Sequence, residues 1–360
     1  MMKTDNAIKP GLFGQKHSSR DYSDPKVWGK NQFNSSFPAS LVAYMSNCGL
    51  DSVYLCYNGN PGMLIHKKIN ASELLGIDPL SEKAFYNFEA GYFPFEQFYN
   101  GNREKIDLVM VDLSTSLPLR GLEIKLTATP DDSTRHLDSE YYSSEIVVRP
   151  PTICFLACSI CLHYNSLEGR ARLKKMLDSV PQINHWDEIS EVAPHFQKIQ
   201  NAIISVCDDM IDYQLPLMIQ PIWRTDESRS RLAEDCLDVF VWSNISTIQM
   251  CYTSNYDSDK GINRLNRTII WLYKMLFDFC IYGQFDYTRI IKHHSYNAAN
   301  DKAFSISGRR SYLMLKSTEL RHPRIKKSEI KNIILGGGQN LLSPERRFDA
   351  VIVNTPGLFD

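Results

Sequence analysis

Apolar and polar positions alternate along this chain with two periods, and the switches between them mark the elements. FPASLVAYMSNCG reads as a helix with Pro38 in its first turn and Gly49 just past its end. VYLCY and MLIHKKI flank NGNPG, which predicts a hairpin. SEKAFYNFEAG predicts a helix with Ser81 as its cap. IDLVMVDL and GLEIKLTAT then flank STSLPLR, and two β-rich runs around a Pro-containing loop predict a second hairpin. Pro150 and Pro151 open a helix that runs through Cys161. NSLEGRARLKKML and residues 188–212 continue helical. LPLMIQPIW and CLDVFVWSN read as buried strands, and NRLNRTIIWLYKMLFDFC as a helix. After it the pattern returns to strands in RRSYLMLK, EIKNIIL and FDAVIV, with GGG between the last two. No internal repeat is visible. The order predicts an α/β fold with a mixed sheet flanked by helices.

Composition narrows the class. The chain has 360 residues, 43% of them hydrophobic, enough for one large or two fused domains. Nine cysteines are present, an odd number. Cys154, Cys158 and Cys161 share one helix face without a His spaced to complete a zinc site, so they read as buried thiols of a reducing cytosol. The first thirty residues hold no apolar signal-peptide core. TICFLACSICL is too short to span a bilayer, and IIWLYKMLFDFCIYG carries Lys274 and Asp278. A soluble, cytoplasmic protein with no membrane role is expected.

The candidate chemistry lies in the second hairpin. An acidic-x-Lys triplet occurs three times, as Asp24-Pro25-Lys26, Glu123-Ile124-Lys125 and Glu329-Ile330-Lys331. Only the second follows a β-run bearing aspartates, Asp107 and Asp112. On a strand, Glu123 and Lys125 project to one face and Ile124 into the opposite layer. A hairpin brings an Asp across from Glu123, and two carboxylates on one face repel unless a hard cation such as Mg²⁺ lies between them. Such an ion activates water and stabilises charge on a phosphate, while Lys125 orients the water and neutralises developing charge. Asp107 and Asp112 have opposite parity, so a regular strand turns only one of them toward Glu123. Asp107 stands at the start of the run, which favours it as the ligand. Asp112, near the turn, is the alternative, and a β-bulge would overturn the parity argument. The competing reading, a solvated ion pair, is weakened by Leu122, Ile124 and Leu126 around it, since charges in a buried strand need partners.

The arrangement Asp…Glu-x-Lys on a hairpin followed by a helix resembles the PD-(D/E)XK nuclease fold. EIKLTATPD, with KPGLFG and WGKNQFNSSFPAS near the start, resembles the HindVP-like family of type II restriction endonucleases over most of the chain. The resemblance implies Mg²⁺-dependent cleavage of double-stranded DNA at a short palindromic site, of the GRCGYC type. It implies a restriction-endonuclease-like core with additional helices and a strand-rich basic C-terminal part. By matching position, Asp107 and Glu123 would hold the metal with help from the Ile124 carbonyl, and Lys125 would be the catalytic lysine. Ile106 stands where the motif has Pro, which leaves the choice of aspartate open. A further acid often assists in such enzymes, and Glu89, Glu96 and Glu104 are the candidates; Asp131 and Asp132 suit a turn after Pro130 equally well.

Charge distribution supplies the partner. Residues 289–347 contain thirteen Lys or Arg against Asp301, Glu319, Glu329 and Glu345, a surplus of +9 in a chain of net charge -1. One basic segment on a near-neutral protein fits phosphate binding on a single face. Arg309, Arg310, Gln339, Asn340, Arg346 and Arg347 are candidate base readers, and Lys326 and Lys327 candidate phosphate contacts. Gly336-Gly337-Gly338 lacks a Walker pattern and reads as a turn beside DNA. The expected organisation is a loop-rich arm over 1–35, a nuclease core with helical insertions over 36–285, and a basic recognition region over 286–360 packed on that core. A palindromic site predicts a two-fold homodimer, with a bacterial DNA methyltransferase as functional partner. The rival classes are a structure-selective repair or recombination nuclease of the same fold and a non-catalytic DNA-binding protein with a nuclease-like core.

Overall fold

The computed structural model describes residues 16–20, 38–39, 41–43, 45–46, 49–101, 103–125, 145–223, 237–252, 261–296 and 302–307. Within them the strand-period segments gather into one eight-stranded mixed sheet. Its strands are β1 (His17–Ser18), β2 (Ser52–Tyr57), β3 (Leu64–Ile69), β4 (Ala84–Ala90), β6 (Ile106–Asp112), β7 (Leu117–Ile124), β9 (Pro216–Trp223) and β10 (Leu237–Ser243). Their spatial order is β1-β4-β6-β7-β9-β10-β2-β3. The run β4-β6-β7 is antiparallel, whereas β9 joins β7 in parallel and so requires a crossover. Two short pairs lie beside the main sheet. In one, β5 (Tyr99–Asn100) runs parallel to β11 (Phe285–Asp286). In the other, β8 (Glu145–Val148) runs antiparallel to β12 (Phe304–Ser307).

Helices cover both faces. One face packs on α1, helical at residues 38–39, 41–43 and 45–46, and on α2 (Ala71–Leu75). Leu108, Met110, Leu122, Ile124 and Ile219 point into that layer. The other face meets α3 (Phe93–Glu96), α4 (Pro150–His163), α7 (Phe196–Asp209), α8 (Asn244–Tyr252) and α9 (Arg264–Tyr282). Residues 152–161 of α4 are all buried, as fits a helix packed between the sheet and α9. The remaining helices are α5 (Leu167–Leu177), α6 (Ile189–Val192) and α10 (Tyr287–His293). None of the described helices is long and apolar enough to cross a membrane.

Two sequence expectations change. SEKAFYNFEAG is a strand, not a helix: its Ala84, Tyr86 and Phe88 are buried in alternation, and β4 pairs with β6 from Ala84↔Asp112 to Ala90↔Ile106. Aromatic residues at period two outweigh the helix propensity of Glu82 and Lys83. Ser81 lies in the turn before the strand, where its hydroxyl accepts from the Lys83 N–H at 3.1 Å. The β6–β7 turn is also shorter than STSLPLR, since β7 starts at Leu117. Pro118 pairs with Val111 just past a register slip between Met110 and Val111, a bulge that leaves Leu119 without a partner on β6. The RRSYLMLK, EIKNIIL and FDAVIV segments lie outside the described residues.

Candidate active site

The hairpin register builds the site. Leu108 faces Leu122 and Val109 faces Gly121, so one further step sets Asp107 opposite Glu123. The bulge falls between Met110 and Val111, beyond this pair, and leaves its parity intact. Gly121 is needed here: a Cβ would come within 2.9 Å of the Tyr92 ring, which packs over the strand beside the site. Beyond Ile124, the Lys125 N–H donates to the Ile219 carbonyl of β9 at 2.9 Å. The end of β7 is thereby fixed by strands on both sides.

Side chains then converge. The Ile124 N–H donates to Asp107 Oδ2 at 2.8 Å, which holds that carboxylate against the strand bearing Glu123. The Lys125 ammonium pairs with Glu123 Oε2 and lies 3.9 Å from Asp107 Oδ2. The Thr152 hydroxyl, in the first turn of α4, donates to the same Glu123 Oε2 at 3.4 Å. Glu123 is 5% exposed. Burial pushes its carboxyl up to about 7 from an ordinary 4.5; Lys125 opposes the rise and the Asp107 carboxylate adds to it. Burial favours the neutral form of Lys125, but the Glu123 and Asp107 carboxylates outweigh it and hold the ammonium protonated above its ordinary range.

This donor set fits a hard divalent cation. The Asp107 carboxylate adds to the cost of ionising the buried Glu123, as expected where a cation would supply counter-charge. Among the described residues no group of three or more His, Cys, Asp or Glu side chains is arranged to hold a metal. A two-carboxylate site suits Mg²⁺, which binds through one or two carboxylates and fills its shell with water and phosphate oxygens.

The other candidates sit elsewhere. Asp112 stands at the turn end of β6, where its Oδ1 accepts from the Ser114 N–H and hydroxyl at 2.8 and 2.6 Å. Those bonds lower its pKa and give it a turn-forming place, five residues or about 17 Å along the strand from Asp107. Glu89 is on β4 rather than a helix and pairs with Arg20 at 3.1 Å. Glu96 lies 3.8 Å from Arg103, and Glu104 accepts from the Tyr287 hydroxyl. Arg309, Arg310, Lys326, Lys327, Gln339, Asn340, Arg346 and Arg347 lie outside the described residues, as do Asp131, Asp132 and the other two acidic-x-Lys triplets. Cys154, Cys158 and Cys161 are buried free thiols on α4. Thr152 escaped the sequence reading. Its only signal was a hydroxyl one residue after a helix-opening Pro-Pro.

The model of the HindVP restriction endonuclease family matches residues 28–359. Type II restriction enzyme HgiDI of Herpetosiphon aurantiacus is 38% identical over 354 residues, 98% of this chain and 98% of that one. Probable type II restriction enzyme HindVP of Haemophilus influenzae is 40% identical over 356 residues, 98% of this chain and 96% of that one. No solved structure matches the chain.

Proposed function

The chain belongs to the HindVP restriction endonuclease family and is a type II site-specific deoxyribonuclease; from that premise we propose that Asp107, Glu123 and Lys125 form its catalytic centre and that Mg²⁺ is its metal. The observation that carries the proposal is the meeting of these three side chains at the end of β7, where burial pushes the Glu123 carboxyl up. Asp107 and Glu123 would hold the ion, with the Ile124 carbonyl beside them. A bound Mg²⁺ supplies positive charge to a phosphate oxygen and acidifies water.

The chain's own residues do the rest. The Ile124 N–H orients Asp107, and Thr152 with Lys125 orients Glu123. The Lys125 ammonium, held protonated by both carboxylates, orients the attacking water and neutralises charge developing on the phosphate. The water oxygen bonds to phosphorus in line as the bond to the 3′ oxygen breaks, the water's proton passes to bulk solvent, and the 3′ oxygen takes a proton from solvent and leaves as a hydroxyl. The family resemblance supports a short palindromic target of the GRCGYC type, read by a two-fold dimer with one centre per strand and protected in the host by a methyltransferase.

The test is Lys125→Ala. The variant should still bind duplex DNA and should not cut it, while the parent chain incubated with plasmid in Mg²⁺ gives discrete fragments whose sequenced ends define the site. Unchanged cleavage by the variant discards Lys125 as the catalytic lysine.

A further inference from the structure

A second surface is locked to the strand that carries Asp107. The lead-in to β6 runs from Tyr99 to Lys105, and β11 with α10 is stapled to it. Phe285 pairs with Tyr99, and the Phe285 N–H donates to the Phe98 carbonyl at 2.8 Å. The Tyr287 hydroxyl donates to Glu104, and the Tyr99 and Tyr287 rings meet edge to face with centroids 6.0 Å apart. Gly101 holds φ at +116°, and a Cβ there would lie 3.0 Å from Thr288 Oγ1, so the two segments approach as closely as glycine permits. Buried Tyr287 and Ile290 seat α10 on the core.

The solvent side of this unit is basic. Lys105, Arg289, Lys292 and His293 are all exposed. A shallow cleft of about 410 Å³ runs past Gly101, Thr288, Arg289, Lys292 and His293. Of the acids close by, Glu104 holds Tyr287, Asp286 caps α10 through the Arg289 N–H at 2.9 Å, Glu96 faces Arg103 and Asp278 pairs with Lys274, while exposed Asp187 lines the adjoining cleft with Arg289 and His293. These four side chains form no ion pair among the described residues, whereas Lys16, Arg172, Lys174 and Lys274 each have an acidic partner. Lys105 is two residues from Asp107, about 7 Å along the chain. The seven residues of α10 extend about 10 Å, and a DNA strand carries a phosphate every ~3.4 Å of its axis.

We propose that Lys105, Arg289, Lys292 and His293 form a backbone clamp that grips the phosphates flanking the scissile one on duplex DNA. The clamp rests on the nuclease reading and adds to it a sequence-independent contact surface outside the basic segment's strands. Its rigidity comes from the Tyr287–Glu104 bond and the β5–β11 pairing, which transmit the grip to the strand bearing Asp107. Such contacts fix the register of the duplex without reading bases.

The test uses the full chain, without divalent metal, and two short duplexes of unrelated sequence. Binding is measured against salt for the parent, for Arg289→Ala/Lys292→Ala and for the charge-keeping Arg289→Lys/Lys292→Arg. The alanine variant should lose about 1.8 from the magnitude of the log–log salt slope on both duplexes, so its affinity loss between about 50 and 200 mM salt shrinks about tenfold. The charge-keeping variant should retain the parent slope, which excludes a folding defect at these positions. An unchanged slope in the alanine variant overturns the clamp, as does a loss confined to one duplex or a charge-keeping variant that behaves like alanine. Failure of the nuclease reading appears separately, as plasmid left uncut by the parent chain in Mg²⁺.

Discussion

Glu123 makes the metal-free protein sensitive to pH between about 4.5 and 7. An exposed glutamate ionises near 4.5, and Glu123 does so near 7 because it is buried and faces Asp107. Between those values the folded chain retains a proton that the unfolded chain has released. Stability contributed by this group is therefore fully present below pH 4.5 and is lost as pH rises through 7. A rise from 4.5 to about 7 corresponds to about 3 kcal/mol, a ceiling because Glu123 and Lys125 titrate together. Glu123→Gln keeps the shape and removes the titration. Replacing it also unpairs Lys125, but that penalty enters as an offset common to every pH in the window. The assay is urea unfolding in EDTA at several values from pH 5 to 7.5, for both chains. The difference between parent and variant should change by up to about 3 kcal/mol across the window, with the variant gaining on the parent as pH rises. Titrating groups that do not touch Glu123 cancel in that difference. Parallel profiles would show that Glu123 is an ordinary carboxylate and would remove the electrostatic case for a cation beside it.

Three further outcomes follow from the geometry. Thr152→Val should raise the Mg²⁺ concentration needed for half-maximal cleavage roughly fivefold, the equivalent of about 1 kcal/mol for a lost hydrogen bond to Glu123, and Thr152→Ser should retain the parent value. Equal values for valine and serine would deny the hydroxyl its orienting part. Gly121→Ala forces a Cβ to within 2.9 Å of the Tyr92 ring and should destabilise the chain by about 1–3 kcal/mol in urea unfolding; an unaltered midpoint would show that Tyr92 yields freely. His294 has its pKa lowered from 6.5 to about 4 by burial, with Lys274 and His293 adding to the effect. Its contribution to stability is present above pH 6.5 and is lost as pH falls toward 4, and His294→Gln should remove that acid-side loss as read by thermal unfolding.

The central hairpin was legible because its chemistry is local. Asp107, Glu123 and Lys125 lie within nineteen consecutive residues, and strand parity with a short turn fixes which side chains meet. The preference for Asp107 over Asp112 as the proposed ligand rested on its place at the start of the run, and the register sets Asp107 opposite Glu123. Strand β4 was misread because Ser81, Glu82 and Lys83 imitate a helix start while the buried alternation of Ala84, Tyr86 and Phe88 is only three residues deep. The contacts that complete the site's surroundings were out of reach. Thr152 meets Glu123 across 29 residues and Tyr287 meets Glu104 across 183, and no period in the sequence encodes which helix the crossover lays on which strand. Charge counting found a basic segment from Arg289 onward but not the way α10 joins Lys105 across the β5–β11 pair.

The start of α4 explains why Glu123 stays poorly solvated. A helix N-terminus ordinarily offers an anion several free N–H groups. Here the first two helical positions are Pro150 and Pro151, which carry no N–H, and the Thr152 N–H is directed to the Arg149 carbonyl at 3.1 Å. The hydroxyl of Thr152 is then the donor this turn presents to Glu123, at 3.4 Å. Amides aimed at the carboxylate would have lowered its pKa and occupied its lone pairs. They would have stabilised the metal-free fold and competed with a cation for the same oxygens. The proline pair avoids that competition: among the described residues, the donors Lys125 and Thr152 both converge on Glu123 Oε2. A carboxylate held by one of its oxygens and left without helix amides is oriented yet undercompensated, and that combination favours divalent metal binding over stability in its absence.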